Sequence, residues 1–150
     1  MRCGVLVLVA MLTLAAPRAA DPQVTSWESQ MAVGAKAYQE GHYGDAEKSF
    51  VAAVKEAEGF GPDDPRLATS LNNLAEVYRA QGRYGEAEPL DKRALAIWEK
   101  ALGPEHPDVA TSLENYAALL RKTNREAEAA TMEARVKAIR TRHREQNPVK

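Results

Sequence analysis

Cysteine is almost missing from this 150-residue chain: there is one, Cys3. A single thiol excludes an internal disulfide framework and a thiolate metal site. Histidine is scarce as well. His42, His106 and His143 are scattered, and none has a second His or Cys at i+3 or i+4, the spacing that helix-borne metal sites use. No glycine-rich loop follows a strand-like run, so the backbone cradle of a nucleotide-phosphate site has no candidate. No nucleophile is paired with a base in any recognisable pattern. The formal net charge of -1 marks the chain for neither nucleic acid nor a membrane surface. These gaps point away from catalysis: no catalytic residue, no metal ligand and no cofactor is assigned. Surface recognition remains.

Residues 1–20 differ in kind from the rest. Met1-Arg2 is a short positive start, and Cys3 to Ala16 is an uncharged apolar run of 14 residues. A bilayer needs about 20 apolar residues in a helix, so the run is short for a span and suits the central part of a secretory signal peptide. Small residues follow at Ala15, Ala16, Ala19 and Ala20, and cleavage is expected between Ala16 and Ala20. A retained N-terminal anchor is the alternative. Cys3 lies at the start of the run, where a lipoprotein attachment site would not be. Cleavage removes Cys3, and a mature chain without cysteine suits an oxidising exported compartment. The expected localisation is therefore periplasmic or secreted.

After a short polar linker at residues 21–26, the chain repeats itself. Gly61, Pro62, Pro65, Ala68, Thr69, Ser70, Leu71, Asn73 and Ala75 recur as Gly103, Pro104, Pro107, Ala110, Thr111, Ser112, Leu113, Asn115 and Ala117. Arg79, Arg83, Arg93 and Ile97 recur as Arg121, Arg125, Arg135 and Ile139, so the offset is 42 residues throughout. A fixed period of roughly 20–50 residues is the signature of a solenoid of supersecondary units. Within one unit, Leu67, Leu71, Leu74 and Tyr78 share a helical face, Gln81-Gly82 closes that helix, and Ala87, Leu90, Ala94, Ile97 and Trp98 form the inner face of a second. Pro89 falls early enough in that second helix to be tolerated. Ala75, Ala87 and Ala94 let the two helices approach closely. An earlier, looser copy runs from Trp27 to Phe60, with Gly41-His42-Tyr43 as its turn.

Leu74-Ala75, Tyr78, Gly82, Tyr84, Ala87 and Ala94 match in order the signature positions of the tetratricopeptide repeat, a helix–turn–helix unit. The chain resembles that family over roughly residues 27–143. A period of 42 rather than about 34 residues, with a Gly-x-x-x-Pro linker, is similar to the kinesin-light-chain type. The resemblance implies an all-α, right-handed α-solenoid of three units and about six helices: residues 27–60, 61–102 and 103–143. The last unit carries a C-terminal cap helix, and residues 144–150 form a disordered tail.

The resemblance also implies where a partner binds. The first helix of each unit lines a concave groove. By family register the groove positions are Thr69, Asn72, Asn73, Glu76, Arg79 and Ala80 in the second unit. In the third they are Thr111, Glu114, Asn115, Ala118, Arg121 and Lys122, and in the first Glu28, Met31, Ala32, Ala35, Tyr38 and Gln39. Asn73 and Asn115 match the asparagine that holds a ligand backbone in peptide-binding members, since an amide offers both donor and acceptor. Arg79 and Arg121, one period apart and joined by Lys122, favour a peptide with acidic residues or a free C-terminus. The expected partner-binding set is Asn72, Asn73, Glu76, Arg79, Glu114, Asn115, Arg121 and Lys122; the alternative is that the charges only keep the face soluble.

The expected function is that of an exported adaptor or scaffold with a protein or peptide partner, no nucleic acid and no membrane span after signal cleavage. Two alternatives stay open. One is a self-associating structural module, stacking through an incompletely capped first helix around Trp27. The other is an exported enzyme. Trp98 is a candidate interface anchor. Arg135, Lys137, Arg140, Arg142 and Arg144 give the last helix a basic cluster, read either as a solvated cap interleaved with Glu126, Glu128, Glu133 and Glu145 or as a surface for an acidic partner.

Overall fold

The computed structural model describes residues 22–147, which hold six α-helices and no strand. They are α1 (Pro22–Gln39), α2 (Tyr43–Glu58), α3 (Pro65–Ala80), α4 (Tyr84–Leu102), α5 (Pro107–Lys122) and α6 (Glu126–Gln146). The expected signal segment lies outside the described residues. Two boundaries differ from expectation. Helix α1 starts at Pro22, so residues 22–26 are helical rather than a linker; proline is at home in a first helical position because its missing amide hydrogen has no partner there anyway. Helix α6 runs on to Gln146, so the first part of the expected disordered tail is helical too.

Local chemistry accounts for the ends. Helix α3 begins at Pro65 with Asp64 as cap, its carboxylate accepting from the Arg66 amide at 2.9 Å. Helix α5 begins at Pro107, and His106 takes the cap position, Nδ1 accepting from the Asp108 amide at 3.2 Å. Each unit turns tightly between its helices through one residue of left-handed backbone: Gly41 (φ 79°), Gly82 (φ 74°) and Asn124 (φ 58°). Asparagine is among the few residues besides glycine that tolerate this region, so the loss of the turn glycine in the third unit leaves the turn intact. Helix α4 passes unbroken through Pro89; the carbonyl that loses its amide partner is that of exposed Gly85, which water can satisfy.

The helices pack as consecutive antiparallel pairs, each new pair seated on the one before. Between first and second units, Ala46, Phe50, Leu74 and Val77 form a cluster near the turns, and Ala57, Leu67, Leu71 and Ile97 form another near the linker. Between second and third units the same two layers recur, as Ala75, Ala87, Tyr116 and Leu120 and as Val109, Leu113, Val136 and Ile139. Trp98 packs into these linker-side layers between α4 and α5. Trp27 is turned inward as well: its indole donates to Ser70 Oγ at 2.9 Å, beside Leu67 and Leu71.

Helix α3 packs against both α1 and α5, whereas the backbones of α2, α4 and α6 do not approach one another closely. The first helices of the units therefore form the inner, concave layer. The outer layer is held across its gaps by long side chains: Arg93 reaches Glu58 at 2.9 Å, and one period on Arg135 reaches Glu99 at 2.5 Å. A second pair of ties recurs with the same period, Arg83–Glu47 and Arg125–Glu88, both 2.8 Å or less. Each unit after the first thus brings the arginines and its predecessor brings the carboxylates.

Candidate partner-binding groove

The inner layer presents α1, α3 and α5 side by side, and the sequence-assigned groove residues lie on α3 and α5. They do not behave alike. Arg79 is not a free cation: its side chain is 9% exposed, and its guanidinium bonds Asp91 of α4 at 2.5 Å and Glu76 one turn back. Glu76 in turn accepts from the Tyr38 hydroxyl of α1 at 2.9 Å. The chain Tyr38–Glu76–Arg79–Asp91 ties α1 of the first unit to α3 and α4 of the second. Arg79, assigned by register to ligand binding, is an interior structural residue.

Electrostatics follow from that burial. Asp91 is fully buried, and desolvation pushes its carboxyl up to about 6 against the opposing pull of Arg79. Burial works against the Arg79 charge as well, but the attraction of Asp91 and Glu76 outweighs it, and the guanidinium stays charged. The Tyr38 hydroxyl is pushed up by burial and then by the Glu76 charge, so it remains a donor. One Asp91 oxygen, Oδ1, has no partner among the described residues.

The third unit repeats the pair in the open. Arg121 bonds Glu133 through two parallel contacts at 2.7 and 2.8 Å and Glu126 at 3.1 Å, yet its side chain is 51% exposed. The bidentate bond holds Glu133 below the usual carboxylate range and Arg121 above its own. In the first unit the same two positions hold Tyr38 and Phe50. There the Phe50 ring occupies the space a side chain at Gly34 would need, since a Cβ on Gly34 would lie 2.7 Å from the ring.

The remaining groove residues divide by partner. Glu114 is taken by Arg140 of α6, at 2.5 and 2.7 Å. Asn72 is half-buried, with Oδ1 enclosed and unpartnered among the described residues. Asn73 and Asn115 are half-buried, and their amides make no side-chain hydrogen bond among the described residues. Lys122 is exposed without a carboxylate partner among them. The groove therefore offers amides at two positions one period apart, with free positive charge at its third-unit end. Met31 and Tyr38 of the first unit are tied to Ser70 and Glu76 instead.

Sequence reasoning missed Asp91, the pairing of Glu133 with Arg121, and the acidic partners Glu47, Glu58, Glu88 and Glu99. A signal for Asp91 was present: it falls four residues after Ala87 on the otherwise apolar inner face of α4, twelve after Arg79, and Glu133 follows Arg121 at the same distance. Among the described residues no cluster of three metal-ligating side chains occurs, and no helix is long and apolar enough to cross a membrane.

Comparison with known proteins agrees with this geometry. The family model for the tetratricopeptide repeat matches twice, over residues 29–97 and 66–142. No curated protein gives a significant match. Among solved structures, the TPR domain of Arabidopsis FLU superposes with a TM-score of 0.69 at 18% identity, covering 78% of this chain and 96% of that one. The nearly identical TPR-like repeats of a putative kinesin light chain from Podosopora anserina give a TM-score of 0.71 at 26% identity, over 81% of this chain and 57% of that one. The N-terminal domain of stress-induced protein-1 from C. elegans gives 0.64 at 16% identity, over 80% and 88%. With the family model spanning most of the sequence and a helix-pair array to match, the chain belongs to the tetratricopeptide-repeat family.

Proposed function

We propose that the protein is an exported binding scaffold that holds a protein or peptide partner across the concave face of α1, α3 and α5. One observation carries the reading. Asn73 and Asn115, one 42-residue period apart, keep unengaged side-chain amides on a face whose other charged groups are largely paired within the fold. An amide in that position can accept from and donate to the backbone of an extended or helical segment. Lys122, exposed and without a carboxylate partner among the described residues, gives the third-unit end a positive charge that favours acidic residues or a free C-terminal carboxylate.

The action is binding, not turnover. Solenoids of this family serve as interaction scaffolds, and affinity arises from a few anchors on a pre-ordered face. Export rests on the apolar segment Cys3–Ala16 and the small residues after it. Mass spectrometry of the native protein should find an N-terminus between residues 17 and 21; an intact Met1 on protein from the cytoplasm would reject export.

The groove is tested by capture from a cell-envelope extract, with wild-type protein beside an Asn73→Ala, Asn115→Ala variant. The expected result is a specific band that the variant loses by ten-fold or more while its helical content is unchanged. Equal capture by both would move the binding surface off the concave face. Arg79 is unsuited to this test, because changing it breaks the interior.

A further inference from the structure

The groove between α5 and α6 is the third of its kind in the chain, and the first two are filled. Helix α3 lies against the first pair, where Val54 and Ala57 of α2 pack on Leu67, Ala68 and Leu71. Helix α5 lies against the second pair, where Leu95 and Trp98 of α4 pack on Val109, Ala110 and Leu113. The corresponding residues of α6, one period on, are Lys137 and Arg140, and Arg144 follows one turn later. The groove itself is kept, a cavity of about 630 Å³ with Ala117 and Val136 in its apolar floor. What has changed is the wall, from apolar to basic.

Two of the cations along it are already matched: Arg140 by Glu114, and Arg121 by Glu133. Lys137 and Arg144 are exposed and have no carboxylate partner among the described residues. We propose that this end groove docks an acidic amphipathic helix from a partner protein, with apolar residues on the floor and carboxylates on Lys137 and Arg144. An α-helix occupies each of the two equivalent grooves, so the third has the shape to take one. The unpaired cations Lys137 and Arg144 select an acidic occupant. A second copy of this chain entering by α1 would bring Glu28 and Lys36, which cancel, and so lacks the acidic face required. It would also find none of the ties that join one unit to the next. In α6 the positions equivalent to Glu88 and Glu99 are Ala130 and Thr141, and in the first unit those equivalent to Arg83 and Arg93 are His42 and Ala52.

The site shares Glu114 and Arg121 with the concave face but uses neither Asn73 nor Asn115, and the experiment separates the two readings on that difference. The probe is a fluorescein-labelled 16-residue peptide with the α5 sequence carrying Val109→Glu and Leu113→Glu, two positions of the layer that packs with Leu95 and Trp98 in the filled groove, where α6 places Lys137 and Arg140 with Arg144 one turn on. The unmodified α5 peptide is the control, and fluorescence anisotropy with the full chain reads binding. The acidic peptide should bind saturably and at least ten-fold tighter than the control. Lys137→Glu with Arg144→Glu should weaken it at least ten-fold, with the circular dichroism spectrum unchanged. Asn73→Ala with Asn115→Ala should leave it unaltered. The proposal is overturned if neither peptide saturates, if the acidic one is no tighter than the control, or if charge reversal on α6 has no effect.

Discussion

The second and third units carry the same arginine in the same register, and the two do different work. Arg79 lies inside, locked between Glu76 and the fully buried Asp91, while Arg121 makes an equivalent pair with Glu133 at the surface, half exposed. What separates them is what comes next along the solenoid. The α3–α4 groove is covered by α5, so its ion pair is sealed from water; the α5–α6 groove is uncovered among the described residues. A repeated sequence therefore yields an interior network in the middle of the array and an accessible one at its end. The first unit takes a third solution: Tyr38 and Phe50 replace the charges, and Gly34 makes room for the ring.

Replacing each arginine by alanine should break the symmetry most sharply. Arg79→Ala leaves a buried carboxylate without its partner and should cost about 3–5 kcal/mol in urea unfolding. Arg121→Ala removes an exposed pair that water screens and should cost far less than that. Similar losses from the two would show that cover by α5 is not what distinguishes them.

The buried pair should also leave a pH signature. The Asp91 carboxyl is raised in the folded state, to about 6 from 3.8, so the stability it contributes is fully present below about pH 4 and is lost as pH rises through about 6. Relative to Asp91→Asn, the wild type should lose on the order of 3 kcal/mol across that window. Glu133 is lowered instead, so its contribution is present above its ordinary range and is lost only as pH falls below it. A flat difference between wild type and Asp91→Asn from pH 4 to 7 would contradict the buried assignment.

The first unit sharpens the comparison by packing. Gly34→Ala places a methyl group against the Phe50 ring and should cost about 1–3 kcal/mol by overpacking. Combined with Phe50→Leu, which frees space, most of that loss should return. No recovery would mean that the glycine is needed for some other reason.

Much of this was legible in the sequence, for identifiable reasons. The period fixes which positions are equivalent. The prolines and glycines at the unit boundaries mark ends, and the spacing of Leu67, Leu71, Leu74 and Tyr78 identifies the packed face of α3. The groove was legible only as a helix face. Which of its side chains are free depends on partners many residues away, 12 for Arg79 and Asp91 and 26 for Glu114 and Arg140, and a consensus that records one helix at a time does not hold them. The start of α1 at Pro22 was missed because a polar stretch with a proline reads as a linker until the helix behind it is seen to pack.

The central claim, that partners are held on the concave face, is tested most directly by photo-crosslinking in the native cell. A photoreactive amino acid is placed at Asn73, at Asn115, and at Val51, which is exposed on outer helix α2. The account predicts a discrete crosslinked partner from Asn73 and Asn115 and none from Val51. An adduct from Val51 of equal yield, or no adduct from either asparagine position, would contradict it.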